Sequence, residues 1–238
     1  FYAVGGAGLV TLVFGAWQAT FRHDLKGLLA YSTISHLGLI TLLLGLGSPL
    51  APVAAVFHII NHATFKASLF MAAGIIDHET GTRDMRRLGG LWTFMPVTGA
   101  LALVASAAMA GVPLLNGFLS KEMLFAESLA LERGGFVAWL IPMAATAAGI
   151  FGVAYSSRFV HDVFFNGPPR DIDRTPHEPP RWMRIPVEVL VVLCVLVGIL
   201  PQVSVGRLLD VASRAVLGAE PPAYSLAIWH GFNVPLLM

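Results

Sequence analysis

Six stretches of this chain each run 20 residues or more with few charges, at approximately 1–21, 28–47, 52–76, 91–131, 136–157 and 186–205, and a further one starts at 229–238. No other feature limits the possible folds so strongly. A helix needs roughly 20 mostly apolar residues to cross a bilayer, and lipid tolerates only backbones that satisfy their own hydrogen bonds. The pattern predicts an all-α, polytopic transmembrane helix bundle. Composition agrees: 56% of residues are hydrophobic and 12% charged, against about 25% charged in ordinary soluble domains, and mean hydropathy is +0.73. The 15 basic and 14 acidic residues leave a net charge of +1, so no global basic field exists to draw nucleic acid.

The fourth stretch is irregular. Its apolar run breaks at Gly111-Val112-Pro113 and again at Asn116-Gly117, then resumes with Lys121-Glu122. Proline and glycine there predict one discontinuous helix, with Pro113 and Gly117 at the break. Orientation follows from the loops, because cytoplasmic loops gather Lys and Arg. One set of alternate loops carries Arg22, Lys26, Arg83, Arg86, Arg87, Arg158, Arg170, Arg174, Arg181 and Arg184; the other carries Arg133, Arg207 and Arg214. This asymmetry puts the first set in the cytoplasm. The proline-rich segment 166–180 reads as an exposed linker, and Asp77 to Asp84 as a hydrogen-bonded turn. Cys194 lies inside an apolar run and reads as a small buried residue. The chain opens on Phe1-Tyr2 without Met and closes on an apolar segment, which reads as an internal piece of a longer protein.

Ionisable residues inside apolar spans are costly and usually mark ion or proton paths. In the third span His58, His62 and Lys66 fall at i, i+4 and i+8, one slowly curving stripe rising roughly 12 Å along the axis. Histidine titrates near neutral pH and a desolvated lysine can release its proton, so the stripe suits a relay. The structural alternative is a Lys66 that snorkels to the interface and histidines that only hydrogen-bond. Two histidines four apart also suit zinc, but no third ligand is evident nearby. Lys121 follows the helix break; by spacing alone it is equally an intramembrane charge or a helix-end residue paired with Glu122. On the second span Ser32, Thr33 and His36 either extend a relay or serve as hydrogen-bond glue between helices. No nucleotide-binding glycine pattern, nucleophile elbow or carboxylate dyad is present, so neither a cofactor nor covalent catalysis is expected.

These residues resemble a known family, the membrane subunits shared by Mrp-type cation/proton antiporters and the proton-pumping arm of respiratory NADH dehydrogenase. The likeness runs from Asp24–His36 through His58–Lys66 to Gly117–Glu122. It implies that His58, His62 and Lys66 lie on the central relay helix and that Lys121 is the midplane lysine of a discontinuous helix. The segments 77–84, 177–180 and Trp229-His230-Gly231-Phe232-Asn233 look like the A subunit of the Mrp antiporter. On that likeness residues 1–205 are the C-terminal half of the antiporter-like core. Residues 206–238 are an external connection and the start of another span. Expected partners are other membrane subunits of the complex, H⁺, Na⁺ or another monovalent cation, and the lipid of the cell membrane. The equivalent subunit of a redox-driven proton pump or membrane hydrogenase is the rival. This chain departs from the family in two places: His36 stands where glutamine is usual, and Leu114-Leu115 replaces a proline–aromatic pair at the break.

Overall fold

The computed structural model describes residues 2–130, 136–172 and 174–226. Its long helices are α1 (Val4–Thr20), α2 (Leu25–Leu46), α3 (Ala51–Thr80), α4 (Pro96–Ala110), α5 (Asn116–Leu129), α6 (Phe136–Val160) and α7 (Arg181–Ile199), followed by the short α8 (Pro201–Ser204) and α9 (Gly206–Leu217). No strand occurs among the described residues, only an isolated bridge between Asp24 and Asp84. Four helices are long and apolar enough to cross a membrane: α2, α3, α6 with its π-helical extension to Phe165, and α7. The shorter apolar α1 and α4 stand beside them. Arg133 and the segment 229–238, with its Trp229–Asn233 motif, lie outside the described residues.

Small residues set the first pairing. α1 and α2 run antiparallel so closely that a Cβ on Gly8 would stand 2.3 Å from the Leu42 nitrogen, and one on Gly38 would stand 2.3 Å from the Leu12 nitrogen. Gly15 meets Ser35, and Gly45 meets Gly5, in the same register. Lipid supplies no hydrophobic drive between helices, so close backbone packing of this kind holds them together.

The interrupted fourth stretch resolves into a 3-10 turn (Leu91–Thr93), α4 and α5. The break is single and occupies residues 111–115; Gly117 is the second residue of α5 rather than a breaker. Its role is contact: a Cβ there would lie 1.8 Å from the Ala108 carbonyl oxygen, so α5 begins against the last turn of α4. Within the break Leu114 has φ +70°, a value closed to proline, whose ring fixes φ near −65°. The backbone of the break is therefore not one that a proline at position 114 permits.

The segment 166–180 has exposed stretches, but it is pinned. Arg170 donates its amide to the Arg87 carbonyl at 2.8 Å, Arg174 donates to the His78 carbonyl at 2.7 Å, and His177 contacts the buried Glu79 carboxylate at 2.9 Å. Glu178 accepts from the Val97 and Thr98 amides at 2.7 and 3.0 Å, capping α4, which has no side-chain cap of its own. Asp77 to Thr80 form the last turn of α3 rather than a loop, and Gly81 in the left-handed region ends it. In the adjoining loop the Arg86 guanidinium, bonded to Asp84 at 2.7 Å, holds that carboxyl below its ordinary range.

Candidate functional site

The His58–Lys66 stripe of α3 faces α2, and α2 answers it with polar groups one turn apart. Lys66 is 4% exposed. Its ammonium donates to the Leu29 carbonyl at 3.2 Å and makes a short bond to the Ser32 hydroxyl. Lys66 is therefore held inside the bundle and does not snorkel to an interface. Ser32 in turn donates to the Leu29 carbonyl at 2.9 Å. Thr33, half-buried, donates to the same carbonyl of its own helix and has no bond to the lysine.

One turn further along α2, His36 joins the stripe. Its Nδ1 lies 2.9 Å from His58 Nε2, and His58 Nδ1 lies 2.9 Å from the Ser120 hydroxyl on α5. Ser120 donates to the Gly117 carbonyl at 3.3 Å, so the serine proton points along the helix and its oxygen is open to a donor. With both imidazoles neutral, the tautomers compatible with that serine bond have His36 Nδ1–H donating to His58 Nε2 and His58 Nδ1–H donating to Ser120. His62 closes the cluster, its ring centroid 5.2 Å from that of His36 and 6.2 Å from that of His58. His62 Nε2 is buried without a partner, and Phe65 packs against all three imidazoles. Among the described residues no group of three or more His, Cys, Asp or Glu is placed to hold a metal ion.

Lys121 sits at the helix break. Its ammonium donates to the Met109 and Ala110 carbonyls at 2.8 and 2.9 Å. These are C-terminal carbonyls of α4, which lack intrahelical donors and carry the negative end of the helix dipole. The break thus creates an acceptor site for a cation within the bundle. Glu122, the next residue, is 8% exposed on α5. The break is anchored to α3 by a reciprocal asparagine pair: Asn61 donates to the Asn116 carbonyl at 3.0 Å, and Asn116 donates back to the Asn61 carbonyl at 3.4 Å and to the Thr64 hydroxyl at 2.7 Å. Cys194 on α7 is buried and donates weakly to Thr64 at 3.7 Å.

Of the residues singled out from sequence, the structure brings His36, His58, His62, Ser32 and Lys66 together and places Lys121 on the adjoining helix. Sequence reasoning passed over Tyr155 of α6, whose hydroxyl lies 3.5 Å from His36 Nε2. It also passed over the asparagine pair. The available signal was weak in both cases, an uncharged polar side chain whose partner lies on another helix.

Residues 2–149 match the family described as NADH:quinone oxidoreductase/Mrp antiporter, TM. The chain is 65% identical over its whole length to a probable K⁺/H⁺ antiporter A/B subunit of Rhizobium meliloti (strain 1021), covering 24% of that protein. It is 43% identical to the A subunit of the Na⁺/H⁺ antiporter of Alkalihalophilus pseudofirmus, again over its whole length and 33% of the relative. It thus spans about a quarter to a third of these relatives' length. Among solved structures, the Mrp complex from Dietzia sp. DQ12-45-1b contains a chain similar to it, with a TM-score of 0.83 at 38% identity, over 98% of this chain and 25% of that one.

Proposed function

The chain belongs to the NADH:quinone oxidoreductase/Mrp antiporter membrane family, and from that premise we propose that it is the relay-bearing core of the A subunit in a multisubunit monovalent cation/H⁺ antiporter of the cell membrane. Protons pass among Lys66, His62, His58, His36 and Lys121. The observation that carries this reading is the convergence of three imidazoles and two ammonium groups from three helices, α2, α3 and α5, in the bundle interior. Intramembrane ionisable groups that face a bundle interior in this way serve ion paths. No covalent step is involved; the chain works as part of a transporter.

The choice of the Mrp A subunit over the redox-driven pump is supported by the contact between two segments that resemble it. Residues 77–84 and 177–180 meet through Glu79 and His177 at 2.9 Å. The relatives' names divide between K⁺ and Na⁺, with K⁺ on the 65% identical protein, so K⁺ belongs beside Na⁺ in any assay.

The test is cation-driven proton flux in vesicles holding the complete complex. Lys66→Ala is expected to abolish exchange while the complex stays assembled. Lys66→Arg is expected to fail as well, because a guanidinium stays protonated throughout the working range. Wild-type flux from Lys66→Ala would remove the relay from consideration.

A further inference from the structure

His36 and Lys121 are not hydrogen-bonded to each other, yet both border one small cavity of about 30 Å³ between α2, α5 and α6. Its other polar neighbours are Ser35 and Tyr155, and the rest of its lining is apolar. Ser35 is already committed, donating to the Leu12 carbonyl at 2.8 Å. That leaves three groups with capacity to spare. An ammonium has three N–H donors, and Lys121 spends two on α4 carbonyls. The Nε2 of His36 is the acceptor end of the His36–His58–Ser120 chain derived above. The Tyr155 hydroxyl, 2% exposed and 3.5 Å from that nitrogen, makes a long hydrogen bond with room for another partner. A water needs a cavity of at least about 10–15 Å³ and two to four polar partners; both conditions are met.

We infer that the Tyr155 hydroxyl, with a water in the cavity that it shares with His36 and Lys121, is the link that carries protons between the histidine cluster and the lysine at the helix break. The step is a balanced shuttle. Lys121 gives a proton to the water, and the water gives one to Tyr155 Oη. Tyr155 passes its own proton to His36 Nε2, and His36 hands its Nδ1 proton to His58. In the reverse direction each bond is made and broken in the opposite order. Tyr155 also gives the chain its polarity: its O–H donates into Nε2, which keeps His36 in the Nδ1–H form that donates to His58. Gly152 adjoins both groups: a Cβ there would stand in van der Waals contact with the Tyr155 hydroxyl at 3.6 Å and with Lys121 Nζ at 3.8 Å.

This inference rests on the relay reading, and the experiment separates the two. Tyr155→Phe, Gly152→Ala and Lys66→Ala are compared in vesicles of the complete complex, in H₂O and in D₂O. Tyr155→Phe keeps the ring and removes only the hydroxyl, and Gly152→Ala keeps Tyr155 and adds a methyl against both its hydroxyl and the Lys121 ammonium. Both are expected to slow exchange about tenfold, the rate equivalent of leaving one buried hydrogen-bond partner unsatisfied. Assembly should be unchanged, and the solvent isotope effect should be larger than in wild type. Wild-type flux in either variant beside an inactive Lys66→Ala overturns the link and leaves the relay standing. Slowed flux with an unchanged isotope effect also overturns it, since Tyr155 would then act only through packing. An active Lys66→Ala defeats the relay itself.

Discussion

Lys121 and Glu122 are adjacent in sequence, but neighbours at i and i+1 on a helix point about 100° apart. The lysine finds its partners 11 and 12 residues back, on the carbonyls that close α4. It therefore serves as both a titratable group and a cap on a helix end. In the complete complex Lys121→Ala is expected to remove most cation-driven proton flux, whereas Glu122→Gln should do less harm; flux measured at matched expression decides between them. Equal losses would show that the two act as one unit. The i, i+4, i+8 spacing of α3 was legible without any structure, because helical geometry alone places those three residues on one face. His36 was legible only as one of two readings, relay group or hydrogen-bond glue, since its contact with His58 depends on the register between α2 and α3, which nothing local in either helix encodes. Tyr155 was hidden for another reason: one tyrosine in an apolar span also suits a packed core or an interfacial belt.

At the scale of elements, the helices were readable and several of their fastenings were not. Proline and glycine announced the broken helix. The cap of α4 comes from Glu178, about 80 positions later in the chain, and composition alone made its segment an exposed linker. Glu178→Ala is expected to destabilise the start of α4 by about 1–2 kcal/mol, the usual cost of a lost N-terminal cap. Faster hydrogen exchange at the Val97 and Thr98 amides would report it; unchanged protection there would mean that water caps the helix equally well. The α1–α2 seam offers a sharper contrast. Gly38→Val must push a side chain into the Leu12 backbone, whereas Gly6→Ala meets nothing within 4 Å. The first should cost several kcal/mol through overpacking and reduce the yield of assembled complex in detergent. The second should leave the yield at wild type. Gly8 and Gly15 on one helix and Gly38 and Gly45 on the other, each pair seven residues apart, form this seam, and the apolar runs alone did not single them out.

Across the whole molecule, the loops assigned by their arginines to one side of the membrane are physically joined. Arg158 bonds to the Thr20 and Arg22 carbonyls, Lys26 pairs with Asp77 at 2.8 Å, and the Leu25 amide donates to the Arg83 carbonyl at 2.9 Å. With Arg170 on the Arg87 carbonyl, residues 20–26, 77–87, 158 and 170–178 form one basic end of the bundle. Clustering of this kind strengthens an orientation argued from charge, because loops that touch must share a side. The charge asymmetry was legible early, since it is a property of long stretches that survives small errors at helix ends; the count of six full spans was not, because α1 and α4 are shorter than the apolar runs that hold them and four helices among the described residues are long and apolar enough to cross. The short helices α8 and α9 beyond residue 200 were not read from sequence, which offered only a plain connection after α7. We predict that the basic end faces the cytoplasm. Cysteines introduced at Arg86 and Arg170, in a chain whose native Cys194 is buried, should resist an impermeant thiol reagent added to intact cells and react once the membrane is opened. A cysteine at the exposed Ser204, beyond α7, should react from outside. Rapid labelling at Arg86 and protection at Ser204 would invert the bundle, and with it the side from which protons reach Lys66 and Lys121.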